Sequence, residues 1–170
     1  MAATTLSGPG PARFAPFAYG FRPFFLIAGL LAAVLVPVWL MVLVGGPTPA
    51  FGVPPAGWHG HEMMFGFVGA AIGGFMLTAI PSWTGARPVT GATLAGLVTL
   101  FVAGRIASLP AFAASPVAAA IDLTFFPALG LVMALPLIRA GKARNMAFLG
   151  LLALLTAANL LMRLEWAEMT

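Results

Sequence analysis

A chain of 170 residues with 61% hydrophobic and only 7% charged side chains cannot clothe a soluble domain, which carries about 25% charged residues. Its mean hydropathy of +1.04 indicates a polytopic membrane protein, and the net charge of +4 reads as a topology signal, not a nucleic-acid footprint. The absence of cysteine excludes disulfides, thiolate-held iron–sulfur clusters and covalent haem attachment.

Residues 1–21 are rich in Pro, Gly and Ala and read as an irregular lead. Arg13 and Arg22 precede an apolar run, as in a signal peptide. The run is long enough to cross a bilayer, so it is read as a retained helix. The expected architecture is an all-α transmembrane bundle of about five spans over residues 22–166, with a short tail at 167–170. Span 1 is expected over Arg22–Val44, with Pro37 as a kink. A Pro/Gly-rich loop without charge leads to span 2, Trp58–Ile80, which is expected to stop at Pro81. Span 3 is expected over Val89–Leu109 and span 4 over Val117–Ile138, with Pro127 and Pro136 inside it. A basic loop, RAGKARN, leads to span 5, Met146–Glu165. Each matches the roughly 20 residues that a hydrocarbon core requires at 1.5 Å per residue.

With five spans, Arg13, Arg22, Arg87, Arg139, Lys142 and Arg144 fall on one side, which should be cytoplasmic. The N-terminus is then inside and the C-terminus outside. His59, His61, Glu62, Asp122, Glu165 and Glu168 fall toward the outer face, with Arg105 and Arg163. Ionisable groups at membrane depth are costly and usually face a bundle interior or cavity. Glu165 and Glu168 read as ordinary helix-end charges. Asp122 reads equally as an interfacial residue or as one side of a pair with Arg105.

The stretch GWHGHEMMFGF, residues 57–67, holds both histidines of the chain and one of its four acids. On a regular helix, residues two apart point about 200° apart, so His59 and His61 cannot clamp one metal. His59 shares a face with Glu62 and Met63, and His61 with Met64 and Phe65. Two arrangements remain open. His59 could precede the helix and swing toward His61, or the two rings could serve different centres. Imidazole suits iron and copper, and thioether suits copper(I). The candidate ligands are therefore His59, His61, Met63 and Met64. Glu62, Asp122 and Arg105 are candidate orienting or proton-handling groups. Behind the cluster, Gly66, Gly69, Ala70, Gly73 and Gly74 allow close helix approach; a flat cofactor ring could also lie on that face.

Taken together, FAYGFRPFFLIAGLLA, WHGHEMMFGFVGAAIGGFMLTAIPSWTG, VAGRIA and KARN…NLL resemble the NnrS family, over nearly the whole chain and in order. The resemblance implies a multi-pass bacterial inner-membrane protein that contains haem b and copper and is linked to nitric oxide metabolism and nitrosative-stress protection. His59, His61 and Glu62 fall on the family's H-x-H-E motif, Arg22, Pro23 and Phe24 on G-F-R-P-F, and Trp83, Thr84 and Gly85 on W-T-G. Ser82 stands where the family pattern has asparagine, and Arg163 lies where a histidine is expected. The match corresponds to the N-terminal portion of longer members. Remaining ligands are therefore expected from a second copy or a larger membrane complex. The leading expectation is a haem- or copper-binding membrane protein of the nitric oxide response. The alternatives are a non-enzymatic subunit sharing a cofactor with its partner, and a small transporter using Glu62 and Asp122. The expected partners are the lipid bilayer and a second copy or larger membrane complex, and no nucleic acid.

Overall fold

The computed structural model describes residues 19–141 and 143–169, without the side chains of residues 143 and 144. Arg13, Lys142 and the Arg144 side chain lie outside it. Among the described residues every regular element is a helix: α1 Phe21–Leu43, α2 Pro55–His61, a π-helical segment Glu62–Val68, α3 Gly69–Thr84, α4 Gly91–Ala107, α5 Pro116–Asp122, α6 Phe125–Ala140 and α7 Ala143–Met169. Helices are the form in which an apolar chain satisfies its own backbone away from water.

Among the described residues four helical runs are long and apolar enough to cross a membrane: Phe21–Leu43, Pro55–Thr84, Pro116–Ala140 and Asn145–Met169. Where a fifth crossing was expected over Val89–Leu109, α4 has 17 residues. At 1.5 Å per residue that is about 26 Å, slightly under a hydrocarbon core of about 30 Å.

Pro37 sits inside an uninterrupted α1. One proline acts differently from the expectation. Pro81 does not end the second span, because α3 runs on to Thr84. An unwound chain in lipid would leave several backbone groups unpaired, whereas a proline removes one donor. The actual stop is Gly85, whose φ of +69° forms a left-handed cap that other residues adopt at a cost. Span 4 does break, at Leu123 and Thr124, between α5 and α6. Pro127 is the third residue of α6, where its missing N–H costs nothing. In a continuous helix its ring would press on the carbonyl of Leu123.

The small-residue face of α3 receives phenylalanine rings. A Cβ on Gly69 would sit 3.1 Å from Phe126, and one on Gly73 the same distance from Phe125. A Cβ on Gly74 would meet Phe24 and Phe25, also at 3.1 Å. Ala70 is fully buried. These absent methyl groups let α1 and α6 close onto α3. Phe24, Phe101 and Phe125 meet with ring centroids 4.8–5.7 Å apart, the tilted and edge-on geometry that aromatic quadrupoles favour. The face suggested for a flat cofactor is therefore already filled by side chains of this chain.

The two ends of the bundle differ in charge. Arg87 and Arg139 line one cavity. Tyr19 and Gly20, beside Arg22, line another with Ser82, Ala86 and Pro88. These cations thus gather where α3 ends and α4 begins. Glu62 and Asp122 lie at the opposite ends of their helices, and Glu165 and Glu168 are exposed near the far end of α7.

Candidate functional site

Trp58 begins the site. Its indole is buried, and Nε1 donates to the Ser108 carbonyl at 2.8 Å. That bond ties the start of the second span to the end of α4. Helix α2 already begins at Pro55, so His59 lies within a helix and not in an irregular lead. His59 and His61 accordingly leave the helix in different directions. The first of the two arrangements open to the sequence is not the one adopted.

His61 is completely enclosed. Its Nδ1 lies 3.0 Å from Glu62 Oε1, and its Nε2 lies 2.9 Å from Asn159 Oδ1 and 3.1 Å from Asp122 Oδ2. Phe65 and Trp166 flank the ring, with centroids at 4.9 and 5.0 Å. Both nitrogens thus face oxygen acceptors, and neither is turned toward open space.

Around His61 the helices bring together charges far apart in sequence. Arg105 Nη1 donates to Glu62 Oε1 at 2.8 Å, and Nη2 donates to Asp122 Oδ1. Arg163 donates to Asp122 Oδ2 through Nη2 at 2.8 Å and through Nε at 3.3 Å. It also donates to the Ala113 carbonyl at 2.7 Å and to the Ser108 hydroxyl. Asn159 Nδ2 completes the set by donating to Asp122 Oδ2 at 2.9 Å. Two carboxylates therefore meet two guanidiniums. Buried charge in an apolar medium is tolerable only when paired and hydrogen-bonded in this way.

Gly66, within the π-helical segment, leaves room for Arg105. Such segments insert a residue into the helical turn and recur at functional sites. Here Glu62 and Gly66 both face the arginine: a Cβ on Gly66 would sit 3.2 Å from Glu62 Oε2 and 3.4 Å from Arg105 Nη1. An apolar cavity of about 480 Å³ between α1 and α4 reaches Glu62 and Arg105 at its polar edge; its walls include Leu31, Val34 and Ile106.

His59 is in a different environment. Its ring stacks on Trp39 of α1, with centroids 4.8 Å apart and planes 10° apart. Its Nδ1 is buried and has no hydrogen-bond partner among the described residues. Met63 is half-buried against the cluster of Leu35, Trp58 and Trp166, and Met64 is exposed.

The sequence-predicted residues His61, Glu62, Arg105 and Asp122 thus meet in one network, while His59, Met63 and Met64 stand outside it. Asn159, Ser108, Trp39 and Trp166 belong to the same region but were not singled out from the sequence. Asn159 and Trp166 flank Arg163 on α7 at spacings of four and three, a periodic signal for two of these residues. Ser108 and Trp39 carry none.

The arrangement does not fit a haem or copper held jointly by both histidines. Among the described residues no three His, Cys, Asp or Glu side chains are grouped to hold a metal ion. The carboxylates are matched by arginines and His61 is enclosed by oxygen partners. His59 alone offers an uncommitted imidazole nitrogen. No curated protein and no solved structure matches the chain. The family model described as NnrS protein matches residues 15–170, nearly the whole sequence. On that match the chain belongs to the NnrS family.

Proposed function

We propose that this NnrS-family membrane protein contributes His59 as a single ligand to a haem or copper centre and serves the bacterial nitric oxide response from the inner membrane. One observation carries the ligand assignment: His59 Nδ1 is a buried imidazole nitrogen with no hydrogen-bond partner among the described residues, whereas both His61 nitrogens are taken. Buried polar atoms without partners are rare in folded proteins and call for a role. Stacking on Trp39 fixes the plane of the ring, which helps a monodentate ligand. His61 and Glu62 then act as the frame that fixes α2 against α7. A copper site needs more than one imidazole, so its further ligands come from another copy or a partner subunit, whereas a haem needs no second protein ligand. The cytoplasmic side is assigned to the end carrying Arg22, Arg87 and Arg139.

The test is elemental analysis together with an absorption spectrum of the full chain purified in mild detergent. Stoichiometric copper, or a Soret band, supports the reading. A chain that holds neither, alone or co-purified with its membrane partners, overturns it.

A further inference from the structure

At the end of the bundle away from the histidines, Arg87 and Arg139 line one open cavity of about 470 Å³. Arg87 follows the Gly85 cap of α3, and Arg139 stands in the last turn of α6. Both side chains are exposed, and neither forms an ion pair among the described residues. All four acids of the chain are elsewhere. Glu62 precedes Thr84 by 22 positions along one continuous helical run, about 33 Å at 1.5 Å per residue. Asp122 is 17 positions before Arg139, Glu62 and Asp122 are held by Arg105 and Arg163, and Glu165 and Glu168 lie near the far end of α7. Nothing among the described residues therefore neutralises this pair.

The cavity also has an apolar side. Leu135 and Pro136 form its wall. Below it, Leu131, Leu135 and Ile138 make a stripe on α6 at helical spacing, exposed by 78, 52 and 60%. In a bilayer that stripe faces acyl chains, and it leads up to the two guanidiniums.

From this juxtaposition we infer that Arg87 and Arg139 bind the phosphodiester head of an anionic phospholipid, whose acyl chains lie along Leu131, Leu135 and Ile138. Guanidinium groups match phosphate oxygens bidentately. Basic clefts between membrane helices on the positively charged side are suited to such heads. The apolar stripe distinguishes a lipid from a free anion, which would leave it unused. The inference does not depend on any cofactor at His59.

The experiment uses the full chain in nanodiscs of equimolar phosphatidylglycerol and phosphatidylcholine. Native mass spectrometry counts the lipids retained on release. The wild type is expected to keep phosphatidylglycerol in preference to phosphatidylcholine. Each arginine removed should weaken that preference about fivefold, so R87A/R139A should abolish it at unchanged helicity. Should that pair fail to fold, R87Q/R139Q keeps a polar side chain without the charge and should lose the preference equally. Three results overturn the inference: equal retention of both lipids, a preference that survives in a folded double variant, or displacement of the lipid by millimolar inorganic phosphate.

Discussion

Removing the charge of Asp122 should be the most damaging single change in the bundle. Its carboxylate receives Arg105, Asn159 and Arg163 and lies 3.1 Å from His61 Nε2, at 3% exposure. Asp122→Asn keeps the volume but leaves two arginines facing one carboxylate. The amide NH2 would also point a donor at donors. Breaking a buried ion pair from one side costs roughly 3–5 kcal/mol. For a chain of this size each kcal/mol moves the melting temperature by about 2–4 °C, so a fall of about 10 °C is expected. The assay is thermal loss of the monodisperse peak of detergent-solubilised protein. Glu165→Gln is the control. That side chain is exposed, and an exposed charge contributes at most about 1 kcal/mol. If Asp122→Asn melts with the control, the network does not hold the bundle together and the argument from buried charge is wrong.

Other substitutions probe single contacts. At Gly20 a Cβ would lie 2.5 Å from Leu77 Cβ, close to its backbone, so Gly20→Ala should destabilise by about 1–3 kcal/mol in the same melt. At Gly29 a Cβ meets nothing within 4 Å, and Gly29→Ala in the middle of α1 should be neutral or stabilising by up to about 1 kcal/mol. Trp58→Phe removes the 2.8 Å bond to the Ser108 carbonyl and leaves a buried acceptor unpaired, which should cost about 1–3 kcal/mol. A melt equal to wild type would mean that this link between α2 and α4 is dispensable.

Much of the fold was legible because lipid leaves so little choice. Apolar runs of spanning length had to be helices, and the expected first span differs from α1 by one residue at each end. The ends of the second span were less legible. Pro81 is a local stop signal, but it loses to the need for a continuous hydrogen-bonded helix in an apolar medium. Pro127 lies early enough in its run that breaking the helix before it was the cheaper solution. The polar core was half legible. Asp122 and Arg105 stood out because charges are scarce in this sequence, and scarcity suggested that they meet. The partition of the two histidines could not be read. Regular spacing says only that they diverge; which one reaches the interior depends on α7 bringing Asn159 and Arg163 from about a hundred positions away. The π-helical segment leaves no composition signal, since EMMFGFV reads as ordinary helix.

The central claim is that the H-x-H-E motif is divided, with His59 available to a cofactor and His61 enclosed in the frame. The direct measurement is haem and copper content of His59→Ala and His61→Ala, purified alongside the wild type and each with its melting temperature. The account expects His59→Ala to lose the cofactor while melting near the wild type, and His61→Ala to melt markedly lower. A folded His59→Ala that retains full haem and copper, beside a His61→Ala that melts like the wild type and has lost them, would contradict it.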